Sequence, residues 1–170
     1  MANICIFRFQ AKGKREDIRK VLDAVGQKTT DLWIGRGAEI WYGETESSAG
    51  MITVEGTGSC KNSLEGALKC AAQEMEEQRV TGNGIWCNDE ISSISRFMTI
   101  GEACRAFGVN MEFYSEETEC RLAEHVVIED GNEEWSDGEA YEDYDEATGD
   151  IVAVSDYDGC GYGIGYPKAA

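Results

Sequence analysis

No Lys or Arg occurs between Leu122 and Pro167, a stretch that carries fourteen acidic side chains. Residues 1–121 hold the other nineteen acids against fourteen bases, about −5. Residues 122–170 hold only Lys168 as a base, about −13, and together they give the net −18. Phosphate recognition depends on Lys and Arg, so direct nucleic-acid binding is not expected. The aromatics Phe7, Phe9, Trp41 and Tyr42, of the kind on which sheets stack bases, do not change that. No apolar run approaches the ~18 residues of a membrane span. The opening Met1-Ala2-Asn3-Ile4 lacks the charged and then apolar layout of a secretory signal. These absences predict a cytoplasmic protein with no membrane partner.

Other absences limit the chemistry. The seven cysteines, at 5, 60, 70, 87, 104, 120 and 160, are odd in number and include no C-x-x-C, so neither a disulfide framework nor a zinc knuckle is expected. In a reducing compartment they read mostly as small buried residues. The one histidine, His125, lies in a strand pattern out of phase with Leu122, Glu124, Val126 and Ile128. A nucleophilic site would need a thiol or hydroxyl converging on it, and Cys120 and Glu124 are only neighbours along the chain. Asp156-x-Asp158-Gly159 begins like a calcium loop, but no acid follows it, and Asp143-x-Asp145 lacks the glycine. Gly35-x-Gly37 is too short for a phosphate fingerprint and reads as a turn. No catalytic residue, cofactor or dedicated metal site is expected, and acids in so polar a run are expected to titrate normally.

A hydrophobic content of 42% over 170 residues supports one folded domain. Residues 3–10 read as a central strand with Cys5, Phe7 and Phe9 on one face, and 11–14 as a turn. Arg15–Val25 reads as a helix with Ile18, Val21, Leu22 and Val25 on its stripe. Residues 27–37 read as loop. Strands follow at 38–44 and 50–56, joined by a loop over 44–49. Asn62, with Glu65 reaching back, is expected to cap a helix through Leu64, Ala67, Leu68 and Ala71. Residues 81–95 read as loop with a short helix. Thr99-x-x-Glu102 is a second capping box, opening a helix that Gly108 ends. Strands at 109–114 and 122–128 precede a turn at Asp130-Gly131-Asn132, and 141–145 is expected to pair with 151–155. The order strand, helix, strand, strand, helix, strand predicts an α+β fold: a ferredoxin-like split βαβ antiparallel sheet, helices on one face, with an acidic C-terminal β extension. The core is expected at about 1–130, the extension at about 131–158 and a Gly/Tyr tail at 159–170.

Several short motifs carry a likeness. Met1-Ala2-Asn3-Ile4-Cys5, Lys12-Gly13-Lys14-Arg15-Glu16-Asp17, Gly56-x-Gly58-Ser59-Cys60 and Phe107-Gly108-Val109-x-Met111-Glu112-Phe113-Tyr114-Ser115-Glu116-Glu117, with Glu124-His125 and Gly131, resemble the YubB-type ferredoxin-like proteins of plasmids, phages and gut Firmicutes. The resemblance covers roughly residues 1–135. It implies the fold and a mobile-element context, and hands no catalytic residue or cofactor to these positions. The segment 79–95 and the acidic end depart from the family's compact pattern.

The acidic third interleaves carboxylates with Tyr and Trp, the residue types that anchor interfaces. The expected function is a non-enzymatic inhibitor that binds a basic, nucleic-acid-handling host protein by charge mimicry, anti-CRISPR-like in its sharpest form with a Cas nuclease as target. The expected partner-binding residues are Glu133, Glu134, Trp135, Asp137, Glu139, Tyr141, Glu142, Asp143, Tyr144, Asp145 and Glu146. The alternative is an orphan ferredoxin-like structural or small-ligand-binding module whose acidic end only confers solubility.

Overall fold

The computed structural model describes residues 4–48, 50–82, 89–117, 120–138, 140–144, 146–149 and 151–155; for 44–48, 70, 89–90, 140–144 and 151–155 it describes the backbone only. The order of elements is β1 (Ile4–Lys14), α1 (Arg15–Val25), β2 (Trp33–Ile34), β3 (Glu39–Ser48), β4 (Met51–Lys61), a π-helical turn (Gly66–Cys70), α2 (Ala71–Thr81), α3 (Asp89–Ser93), β5 (Phe97–Met98), α4 (Ile100–Phe107), β6 (Asn110–Glu117), β7 (Leu122–Glu129), β8 (Asn132–Gly138), β9 (Ala140–Tyr144) and β10 (Ile151–Ser155). Six strands form one antiparallel sheet in the order β3-β4-β1-β6-β7-β8, β9 pairs with β10, and β2 lies parallel to β5. The expected mixed α+β architecture, an antiparallel sheet with helices on one face, is therefore present.

Alternation along β1 builds the core. Cys5, Phe7, Phe9 and Ala11 are buried beneath the helices, while Ile4 and Ile6 are 60% and 49% exposed on the open face. Phe7, Phe9 and Phe113 meet with ring centroids 5.9–6.3 Å apart. Around them pack Ile18, Val21 and Leu22 of α1, Leu64 and Leu68 of the π-helical region, and Ile100 and Ala103 of α4. Each of the larger aliphatic side chains contributes about 1.5–3 kcal/mol by leaving water. A second cluster, Trp33, Met75, Ile91, Ile94 and Phe97, closes over the β2–β5 pair.

Several expectations are corrected. β1 does not turn at 11–14: Gly13 pairs with Ile52, and small residues at Ala11 and Gly13 fit beneath the layer above. β3 and β4 are longer than expected, and 44–48 belongs to β3, with a bulge between Glu44 and Glu46. Gly56 and Gly58 do not break β4. A side chain at Gly58 would strike the Phe7 ring, and one at Gly56 would stand 2.7 Å from the Phe9 ring. These two glycines are therefore notches for the phenylalanines of the neighbouring strand. Asn62 does not cap: its φ is +64°, and Ser63 Oγ instead accepts from the Gly66 amide at 3.0 Å. Glu65 pairs forward with Lys69 at 3.2 Å. The loop expected over 27–37 contains β2. The Thr99–Glu102 capping box is present in both directions, and Gly108 ends α4 in the left-handed region at φ +64°.

Candidate partner-binding surface

The acidic edge is positioned by the β7–β8 hairpin. Asp130 and Gly131 turn the chain with φ of +49° and +78°. Arg105 of α4 donates to the Gly131 carbonyl, and the Asn110 side chain accepts from the Asp130 amide at 3.0 Å. Strand alternation then divides the acids of β8. Glu133 and Trp135 stand opposite the buried Ile128 and Val126, so both face the helices. Trp135 is half-buried, donates through Nε1 to Glu133 at 2.9 Å, and lies under Lys69 Nζ at 4.9 Å. The Glu133 carboxylate fills the space that a side chain at Gly101 would need. Burial first, and the Glu133 charge second, push the Cys104 thiol up to about 12.

Glu134 and Asp137 are exposed on β8, as is Glu146 in the turn after β9. Tyr141, Glu142, Asp143 and Tyr144 lie on β9, whose backbone rests against β6 and β7. Glu139, Asp145 and the 159–170 tail lie outside the described residues. Three successive strands, β8, β9 and β10, thus carry what the sequence presents as an acidic extension. The β9–β10 hairpin joins 140–144 to 151–155, one residue from the expected register.

The open face of the sheet holds a cluster that sequence reasoning missed. Cross-strand register aligns Trp41, Thr57, Arg8, Tyr114, His125 and Ser136 in one row. The Tyr114 and His125 rings stack at 4.3 Å with a 4° interplanar angle, and the Arg8 guanidinium lies 4.9 Å over Tyr114. Glu112 joins them, accepting from the Tyr114 hydroxyl at 2.8 Å and meeting His125 Nε2 at 2.9 Å. Burial works to raise the Glu112 carboxyl, but the Tyr114 hydroxyl, His125 and then Lys12 outweigh it and hold it below the usual range. Beside the stack a groove of about 430 Å³ is lined by Arg8, Gln10, Glu55, Thr57, Glu112 and Tyr114. The Ser136 hydroxyl donates to the His125 carbonyl at 3.4 Å, not to its ring. Of the aromatics weighed for base stacking, Phe7 and Phe9 are buried under the helices, and Trp41 is 59% exposed.

Not all the carboxylates titrate as solvated groups, contrary to expectation. Glu124 is buried opposite Ser115, and its oxygens accept from the Leu64 amide at 2.6 Å, the Glu65 amide at 2.9 Å and Ser115 Oγ at 3.1 Å. It caps a helix from a distant strand. Burial nevertheless prevails over these donors and, with the Asp137 charge, raises its pKa. Comparison of the chain with protein-family models, curated proteins and solved structures found no match.

Proposed function

We propose that this is a non-enzymatic acidic protein of the YubB-type, mobile-element class, with a ferredoxin-like split βαβ core, that inhibits a basic nucleic-acid-handling host protein in the cytoplasm. The ferredoxin-like reading is supported by the order β3-β4-β1-β6 with α1 following β1 and helices preceding β6. β7 and β8 extend that arrangement. The observation that carries the functional reading is the position of acidic residues on two successive strands, Glu133, Glu134 and Asp137 on β8 and Glu142 and Asp143 on β9. Strands space carboxylates at regular intervals, as a phosphate backbone spaces its charges, and an ordered row loses less entropy on docking than a loose tail. In this reading Glu134, Asp137, Glu142, Asp143 and Glu146 meet Lys and Arg of the partner, with Tyr141 and Tyr144 as anchors and Trp135 as the inner wall. Glu133 holds Trp135 in place.

A Cas nuclease groove that normally holds DNA or guide RNA is the sharpest target. The test is DNA cleavage by a panel of Cas nucleases with and without the protein, at low and high salt. Inhibition is expected at low salt, weakening as salt rises and relieved by competing DNA. Reversal of Glu134, Asp137, Glu142 and Glu146 to Lys should abolish it while circular dichroism stays unchanged. Absence of inhibition at low salt, or inhibition that survives the four reversals, would overturn the proposal and favour the solubilising role.

A further inference from the structure

At one end of the helix-facing side, β4, β1 and β6 present a row that is neither apolar nor solvated. Cys60 stands directly opposite Cys5 across the β4–β1 pair. One register step beyond Ile6–Glu116 brings Glu117 opposite Cys5 on β6. Both cysteines are buried, and Glu117 is only 4% exposed. Glu117 Oε1 is buried with no hydrogen-bond partner among the described residues. A dry carboxylate oxygen beside two thiols is an arrangement that a positive ion relieves.

The surroundings point the same way. Thiolate sulfur prefers soft cations. Access exists, because Cys60 lines a surface cleft of about 490 Å³ together with Gln27, Arg36, Ser59, Lys61 and Asn62. Ligand number then selects the ion. Among the described residues no three metal-ligating side chains are arranged to hold an ion together, so these offer two sulfurs and not the four ligands that zinc takes. Two facing sulfurs suit a univalent soft ion that accepts ligands in a line.

We propose that Cys5 and Cys60 form a buried two-sulfur site for a soft univalent cation of the cuprous class, with Glu117 as the adjacent base. On binding, both S–H bonds break and two metal–sulfur bonds form. One proton passes to the Glu117 carboxylate and the other leaves to solvent. No electron is transferred, and the buried charge is the same before and after.

The test uses the full chain, reduced and free of oxygen, with cuprous ion delivered from a coloured chelator. One ion per chain is expected to bind, releasing one proton. Cys104→Ser and Cys120→Ser should leave this site intact. Cys5→Ala or Cys60→Ala should weaken binding beyond the roughly 100-fold that outer-sphere partners command. Glu117→Gln cannot take a proton, so it should release two protons per ion. A core alanine can unfold the chain, so X-ray absorption of the singly loaded wild type supplies a second reading, for which two sulfur neighbours are expected. A spectrum with nitrogen or oxygen ligands, or tight binding that survives in folded Cys60→Ala, would overturn the proposal.

Discussion

Glu124 performs at long range the task that Ser63 performs locally. Ser63 Oγ takes the Gly66 amide, while Glu124, on β7, takes the amides of Leu64 and Glu65. Helix start and sheet are thereby tied together by one side chain. Glu124→Ala should leave both amides without a partner and cost about 2 kcal/mol in urea unfolding. The pH dependence has a definite sign. Burial raises the native pKa of Glu124 above its unfolded value, so the native chain keeps its proton to higher pH than the unfolded chain. The stability this confers is complete below the unfolded value of about 4.3 and is lost as pH rises through the native one. The stability of wild type minus that of Glu124→Gln should therefore fall over that interval. A difference that rises with pH would show that the three donors outweigh burial.

At the level of single elements, the β1–β4 pair depends on the absence of two side chains. A Cβ at Gly58 would meet the Phe7 ring and stand 2.5 Å from the Glu39 carbonyl oxygen, whereas one at Gly43 would meet nothing within 4 Å. Gly58→Ala should cost about 3 kcal/mol by overpacking, and Gly43→Ala should stay within about 0.5 kcal/mol. Equal melting temperatures for the two variants would refute the notch. The same glycines explain what the sequence left illegible: read alone they look like punctuation, because their reason lies on another strand. The capping box at Thr99 was legible because both partners are three residues apart. The cap of the helix that begins at Leu64 was not, because Glu124 is sixty residues downstream. The inward set Met111 and Phe113 followed from alternation. The Tyr114–His125 stack required the register of β6 on β7, which alternation does not supply. The acidic composition announced a candidate surface, but not that Glu133 and Trp135 would turn toward α4 and the π-helical turn.

For the whole molecule, the boundary of the sheet matters most. β8 is its sixth strand, so the sheet runs to Gly138, past the position near 130 expected for the end of the core. A chain ending at 130 loses Trp135 from the core margin and leaves β7, with Val126 and Ile128, as an unprotected edge. That chain should unfold at lower urea than one ending at 138 and should aggregate on concentration. Identical unfolding midpoints would place β8 outside the cooperative unit. The acids of β8 serve this edge too, since charge on a terminal strand discourages pairing with another molecule.

The central place of β1 also has a consequence in time. Its two neighbours are β4 and β6, and the second is made some hundred residues after it. During synthesis at about 5–20 residues per second, β1 can take β4 on one side within seconds, while its other side waits for 110–117 to emerge. Phe7 and Phe9 lack the company of Phe113 throughout that interval. The nascent chain thus has a period when its eventual centre is an open, greasy margin, and slowing the ribosome between codons 62 and 110 would lengthen it.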